Sequence, residues 1–150
     1  IKEASGDIGV FGHGYTYSGH PVSCAVALKT LEIYERDKVF QHAKKVGEYF
    51  QNSIKEILKE DYVGEVRGIG LIAGIELYKD PLNKIAFEEA GKAGKILSDT
   101  CQKNGLIVRP ILDTVALCPP LIISEQEVDE LTDKLKKSLQ EAKDEIMKVH

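Results

Sequence analysis

The residues best suited to chemistry lie in a glycine-rich run near the start of the chain. Thr16 stands between Gly14 and Gly19, and Pro21 favours the first turn of a helix, where its missing amide costs nothing. Flanking glycines let backbone amides approach an anion without a Cβ in the way, and a helix N-terminus adds positive potential. Thr16 could therefore donate its amide and its hydroxyl to a phosphate oxygen. An ordinary structural loop explains the same residues, because glycine-rich loops before helices are common, and both interpretations stay open.

Arg109 is the second candidate for chemistry. The planar guanidinium of an arginine can hold a carboxylate through two parallel hydrogen bonds. Pro110 follows it and biases Arg109 toward an extended backbone, as at the end of a strand. On the residues alone, an ion pair at a surface or interface is the favoured interpretation of Arg109.

Apolar periodicity predicts the helices that must position these residues. Helices are predicted at residues 21–36, 37–59 and 86–104, and a last helix follows a capping box of Ser124 and Glu127. The first helix carries small side chains early, which would permit close approach of a partner surface. The last helix carries apolar residues at helical spacing to its end, so it is expected to bury one face.

Alternating apolar residues predict the strands. Residues 69–77 form one predicted strand, with a bend at Gly68 and Gly70, and two short strands follow at residues 106–109 and 114–118. This order of elements predicts an α+β fold, with a small, mainly antiparallel sheet covered by helices on one side.

Two domains are expected to share the chain. Residues 37–150 account for the small α+β domain, whereas residues 1–36 are interpreted as the trailing loop and helix of a larger domain. The chain starts at Ile1 rather than Met, and its first residues have the character of a loop. We therefore expect the beginning of the protein to be missing.

Composition excludes several classes of function. With 150 residues, 43% of them apolar and 29% charged, the chain is expected to form a packed globular domain. Its net charge of -4 and its scattered lysines argue against nucleic-acid binding, and its apolar runs are too short to cross a membrane. Cys24, Cys101 and Cys118 form no CxxC pair and predict reduced, mostly packed thiols of a cytoplasmic protein, with no metal site.

The literal sequence of several segments resembles the class III pyridoxal-phosphate-dependent aminotransferase family, and is most similar to its ω-transaminase-like members. The resemblance covers nearly the whole chain. The segments that carry it are FGHGYTYSGHP at 11–21, VRGIGL at 66–71, AGIEL at 73–77, GLIVRP at 105–110 and PPLII at 119–123.

This resemblance implies specific roles. The fold would be the C-terminal small domain of a fold-type I aminotransferase. Thr16 and the backbone of Tyr15 would bind the phosphate of pyridoxal 5'-phosphate held by the neighbouring subunit, so that a homodimer shares its active sites. Arg109 would pair with the carboxylate of the substrate. Arg67 is interpreted as a structural brace, and His20 as a structural or interface residue.

The resemblance also implies what the chain lacks. The lysine that forms the family's Schiff base with the cofactor would lie upstream, so no catalytic residue is assigned here and the chain alone is expected to be inactive. The whole protein would move an amino group between an amine or amino acid and a keto acid, such as pyruvate. A non-catalytic α+β interaction module and an aminomutase of the same fold are the alternatives. Residues 111–113 lack the glycine often found there in the family, which affects the expected loop shape and substrate preference.

Overall fold

The structure is a computed structural model that describes residues 6, 9 and 14–149. Two compact units divide the chain, with the boundary between Asp37 and Lys38. The assignment of the first unit to a larger cofactor-binding domain stays a prediction.

The first unit contains one long helix, α1 (Pro21–Arg36). Pro21 occupies its first turn, and the amide of Ser23 donates to Nδ1 of His20 at 3.5 Å, so His20 caps the helix. None of the residues of α1, all of which lie in the described part of the chain, is buried. A tight turn precedes the helix, and in it the amide of Ser18 donates to the carbonyl of Tyr15 at 2.9 Å.

The second unit is built on a four-stranded antiparallel sheet. Its strands run in the order β1-β2-β4-β3 across the sheet. The strands are β1 (Val63–Ile69), β2 (Ile72–Leu77), β3 (Arg109–Ile111) and β4 (Thr114–Leu117). The single strand predicted across residues 69–77 is wrong: a two-residue turn at Gly70 and Leu71 separates two strands, and Gly70 adopts the positive φ of 55° that this reversal needs.

Three helices complete the second unit: α2 (Val39–Lys55), α3 (Lys92–Lys103) and α4 (Glu125–Ile146). A short 3₁₀ helix (Glu56–Lys59) follows α2, where one continuous helix was predicted. The helix predicted from residue 86 begins only at Lys92, because the turn closed by the Asp80–Ile85 bridge is followed by irregular backbone in which Phe87 is buried.

Helices cover one face of this sheet. One buried cluster joins the inner side chains of the strands to Phe50, Leu97 and Leu135 of the three helices. The inner side chains are Val63, Ala73, Ile75, Leu77, Val115 and Leu117. The opposite face is open, since Ile69 and Ile72 there are 81% and 59% exposed. The predicted α+β class, with a small antiparallel sheet and helices on one side, is confirmed.

The helix α4 shows how local chemistry and packing agree. Ser124 and Glu127 form the predicted capping box, with the Ser124 amide 2.8 Å from the Glu127 carboxylate and the Glu127 amide 3.2 Å from the Ser124 hydroxyl. Below the helix, the buried Tyr62 donates its hydroxyl to the carbonyl of Leu139 at 2.5 Å. The cap determines where the helix begins, and the Tyr62 hydrogen bond ties the helix to the residue that directly precedes β1.

Candidate functional site

The glycine-rich turn presents Thr16 to solvent. Its neighbour Tyr15 is 74% exposed, and Thr16 itself is exposed. The amide of Tyr15 donates to the hydroxyl of Ser18 at 2.7 Å, and Gly19 adopts a φ of 77° to turn the chain into α1. Residues 11–13 of the predicted phosphate motif lie outside the described residues. The described part of the motif therefore offers a small turn with an exposed hydroxyl, four residues ahead of a helix N-terminus.

The second unit carries Arg109 on the open face of its sheet. Arg109 faces Ala116 in the register of β3 and β4, and Ala116 faces Gly74 of β2, which in turn faces Arg67 of β1. Residues directly opposite each other in antiparallel strands point to the same face. Arg67 and Arg109 therefore stand at the two ends of one row, about 14 Å apart at the usual spacing of strands, with two small residues between them.

The two arginines of this row have different surroundings. Arg67 lies 2.6 Å from the carboxylate of Glu76 and 3.8 Å from that of Glu65, and its hydrogen bond to Glu76 raises the pKa of Arg67. Arg67 thus acts as a brace between β1 and β2, in agreement with its interpretation from sequence. Within residues 14–149, Arg109 is the only arginine without a carboxylate partner, since Arg36 pairs with Asp37 at 2.7 Å.

The turn between β3 and β4 is tied to the start of α3. The carboxylate of Asp113 accepts hydrogen bonds from the amides of Gly91 at 2.9 Å and Gly94 at 3.1 Å. Gly91 is the N-cap residue of α3 and has no side chain that could cap the helix, so the carboxylate of the distant Asp113 caps it instead. Leu112, the first residue of the turn, has a φ of 52°, a conformation that glycine adopts far more readily.

Asp113 was not among the residues singled out from sequence. Its hydrogen-bond partners lie 19 and 22 residues away, and no local pattern connects an aspartate in a hairpin to the first turn of an earlier helix. The nearest signal in the sequence is a missing residue: the chain has no glycine where the turn requires a positive φ. Its absence indicates that another interaction must stabilise the turn.

Other candidate chemistry is sparse in the described part of the chain. No group of three or more His, Cys, Asp or Glu side chains there could hold a metal ion, and no helix is long and apolar enough to cross a membrane. No lysine is buried among the described residues. Cys101 is buried, but Cys24 and Cys118 are exposed, so the prediction that these thiols are mostly packed is wrong for those two.

The fold is that of part of a transaminase. A solved transaminase with L-alanine matches with a TM-score of 0.84 and 41% identity, over 97% of this chain and 34% of that one. The ω-transaminase from Pseudomonas jessenii in complex with PMP matches with a TM-score of 0.83 and 36% identity, over 97% of this chain and 32% of that one.

The chain belongs to the class III aminotransferase family, whose model matches residues 2–139. The probable mitochondrial gamma-aminobutyrate transaminase 3 of Oryza sativa subsp. indica is 38% identical over 146 residues, which are 97% of this chain and 29% of that protein. The chloroplastic gamma aminobutyrate transaminase 3 of Solanum lycopersicum is 36% identical, over 97% of this chain and 28% of that protein. The chain therefore spans about a third of the length of its relatives. Since two of them are named mitochondrial and chloroplastic, a cytoplasmic location stays a prediction.

Proposed function

We propose that this chain is the C-terminal portion of a homodimeric transaminase, which moves an amino group between an amine or amino acid and a keto acid such as pyruvate. The observation that carries the proposal is Arg109: within residues 14–149 it is an arginine without a carboxylate partner, and it stands on the open face of the domain. A side chain in this setting can receive the carboxylate of a substrate through two parallel hydrogen bonds.

Membership of the family implies pyridoxal phosphate as the cofactor. When bound, that cofactor supplies the electron sink for amino-group transfer. The residues present fit its phosphate: Thr16 offers an exposed hydroxyl in a tight turn, a few residues before the N-terminus of α1. In the proposed arrangement, Thr16 and the backbone of Tyr15 hold the phosphate of the cofactor bound to the neighbouring subunit, and the Tyr15 amide exchanges its bond to the Ser18 hydroxyl for one to the phosphate.

The substrate role of Arg109 is tested with donors that differ in one group. In the whole enzyme, we expect Arg109→Ala to lower the specificity constant for an amino-acid donor by about one and a half to three decades. This loss corresponds to the roughly 2 to 4 kcal/mol of a charge-assisted bidentate pair. An amine donor without a carboxylate should be affected far less. Each donor is measured in its own half-reaction by the absorbance of the cofactor, so that binding of the keto acid's carboxylate does not affect the comparison of the donors.

Arg67→Ala is the matched control, because Arg67 occupies the other end of the same row and is bonded to Glu76. It should lower stability modestly and affect both donors equally. Equal losses for both donors in Arg109→Ala would show that Arg109 is structural and would remove the main support for the proposal.

The cofactor role of Thr16 is tested by retention of the cofactor. Loss of one charge-assisted hydrogen bond of about 1.5 to 3 kcal/mol should weaken cofactor affinity about ten- to hundredfold in Thr16→Ala. Thr16→Ser keeps the hydroxyl and should retain the cofactor. In mixed dimers, one subunit carries Thr16→Ala and one subunit lacks the catalytic lysine, in both arrangements. The defect should appear at the site whose lysine belongs to the subunit with an intact Thr16. A defect that stays with the mutated subunit's own lysine would refute the shared site.

The chain alone is proposed to be inactive, because the lysine needed for transamination would lie upstream of it. Treatment with pyridoxal phosphate and borohydride, followed by peptide mapping, should give only scattered, sub-stoichiometric labelling of lysines. A single lysine labelled in full, together with turnover, would contradict this. An aminomutase of the same fold would instead return the amino group to the same carbon skeleton, which product analysis distinguishes.

A further inference from the structure

The β3–β4 turn lies where three elements of the second unit meet. The carboxylate of Asp113 accepts from the amides of Gly91 and Gly94 in the first turn of α3. Its backbone carbonyl accepts from the amide of Leu77, at the end of β2, at 2.9 Å. A single residue therefore links the helix and a central strand to the hairpin that carries Arg109.

The turn needs such an anchor because of its sequence. Leu112 adopts a φ of 52°, a left-handed conformation that a leucine rarely adopts, and its side chain is 69% exposed. Burial of Leu112 contributes little that would hold it there. A backbone conformation of this kind persists only when the surrounding structure over-determines it, and here the surrounding structure is the pair of hydrogen bonds to Asp113.

Glycines of α3 allow the turn to come close enough for these bonds. A Cβ placed on Gly94 would lie 2.0 Å from the carbonyl oxygen of Leu112, and one on Gly91 would lie 3.5 Å from the Leu112 Cα. The negative charge of Asp113 also faces the helix N-terminus, where the amide dipoles favour it. Contact with α3 thus sets the position of the turn.

The position of the turn contributes to the position of Arg109. The strand β3 has only three residues, lies at the edge of the sheet and pairs with β4 alone. Arg109 is three residues from Leu112 and is exposed, and β3 is held between the contact of Val108 with the core on one side and the turn on the other. A shift of the hairpin relative to α3 would be carried along β3 to the guanidinium.

We propose that Asp113 is a positioning residue for the substrate carboxylate: by binding the first turn of α3, it holds the strained β3–β4 hairpin where Arg109 meets the substrate. This inference rests on the proposed function of Arg109. It assigns substrate discrimination to a residue that acts through the hairpin and Arg109.

The test is Asp113→Asn in the whole enzyme, measured in the two half-reactions described above. An asparagine keeps the shape and one oxygen, but its amino group cannot accept from the second amide. We expect the specificity constant for the amino-acid donor to fall about ten- to hundredfold, as for a displacement of about 1 Å. The amine donor without a carboxylate should change by less than about threefold, since the changed element is the one that holds the carboxylate.

Two further variants separate positioning from stability. Ser124→Ala removes the cap of α4, an unrelated helix, and should lower the stability of the domain without changing the ratio between donors. Gly94→Ala displaces the same turn from the opposite side while leaving Asp113 intact, and should reproduce the selective loss. In the Arg109→Ala background, Asp113→Asn should cause no further loss for the amino-acid donor, because the group that it positions is gone.

Equal losses for both donors in Asp113→Asn, or an additive loss in the Arg109→Ala background, would overturn the inference. The two hypotheses fail in different ways. If Arg109→Ala itself does not discriminate between donors, the proposed function of Arg109 fails. If Arg109→Ala discriminates and Asp113→Asn does not, only the positioning role is refuted.

Discussion

Replacement of Gly94 by alanine tests the contact between α3 and the β3–β4 turn directly. Helix propensity alone predicts a gain, because alanine is favoured over glycine in a helix by up to about 1 kcal/mol. The structure predicts the opposite sign. The new Cβ would lie 2.0 Å from the Leu112 oxygen, 3.1 Å from its carbonyl carbon and 3.2 Å from the Asp113 Cα, all of which are backbone atoms.

The size of the effect follows from the movement required. Ordinary contact begins at 3.4 Å, so the Leu112 carbonyl must retreat by about 1.4 Å from its present 2.0 Å separation. That movement breaks or lengthens the hydrogen bonds of Asp113 to Gly91 and Gly94, now 2.9 and 3.1 Å long. Bonds to a charged acceptor contribute about 1.5 to 3 kcal/mol each, and Asp113 is half-buried, which favours the lower figure. After the gain in propensity, the free energy of unfolding should fall by about 2 to 4 kcal/mol.

Equilibrium urea denaturation of the 150-residue chain, followed by far-ultraviolet circular dichroism, measures this change. A loss of this size should lower the urea midpoint by about 1 to 2 M. Gly74→Ala is the control, because its Cβ would meet only the Thr114 methyl at an ordinary 3.4 Å, and its stability should stay within about 1 kcal/mol of the parent. A Gly94→Ala chain as stable as the parent would refute the close contact on which the position of the turn depends.

Three other predictions concern the core and the helix cap. Tyr62→Phe should destabilise the domain by about 1 to 2 kcal/mol, since the hydroxyl donates to a buried carbonyl. In the parent protein, burial raises the pKa of Tyr62, so spectroscopic titration should show this side chain still protonated above the usual tyrosine range. Burial also raises the pKa of the Cys101 thiol, so alkylation with mass mapping should label Cys118 in the native chain and Cys101 only after unfolding. The backbone amide at the start of α4 holds the pKa of Glu127 below its usual 4.5. The stability from this carboxylate is therefore present above about pH 4.5 and is lost as the pH falls through the lowered pKa, and Glu127→Gln should flatten the urea midpoint against pH in that acid range.

Sequence predicted the elements that are specified locally. The helix α4 is an example, since Ser124 and Glu127 satisfy its first amides and apolar residues recur at helical spacing as far as Ile146. Each of these features acts within one or two helical turns, so the local sequence pattern is sufficient to predict the helix. The α+β class follows in the same way from the order of the elements.

Elements that depend on a turn were predicted less well. Residues 69–77 show unbroken alternation, but the pairing of Ile69 with Ile72 places both on the open face, so the inward positions change from even to odd numbers across the two-residue turn. Ile69 is apolar although it is 81% exposed, so it continued the alternation across the turn and concealed the reversal. At the start of α3, Phe87 fits a helical pattern, yet it is buried from irregular backbone. The apolar Ile69 is exposed and the buried Phe87 lies outside a helix, so apolar spacing in these two segments did not reveal the path of the backbone.

The same distinction between local and long-range causes applies to the site residues. Thr16 and Arg109 stand in segments whose literal sequence resembles a known family, and a resemblance can name residues without explaining their positions. Asp113 acts through bonds to residues far away in the chain, which only the folded structure shows. The position of Asp113 could not have been inferred from spacing, because the relevant distance is created by the packing of α3 against the hairpin.

Register explains why one arginine of the sheet is a brace and the other is available. Both stand on the open face and in the same row, but their diagonal neighbours differ. Arg67 has Glu76 on the adjacent strand, and the two charges bind each other at 2.6 Å. Arg109 has Ala116 and Thr114 as its neighbours on β4, and neither can compensate a positive charge. A shift of one residue in the pairing of β3 and β4 would turn Arg109 toward the core, where an unpaired charge is strongly disfavoured. The same register that leaves Arg109 without a carboxylate partner among residues 14–149 therefore also keeps it on the open face, where a carboxylate from outside the domain can reach it.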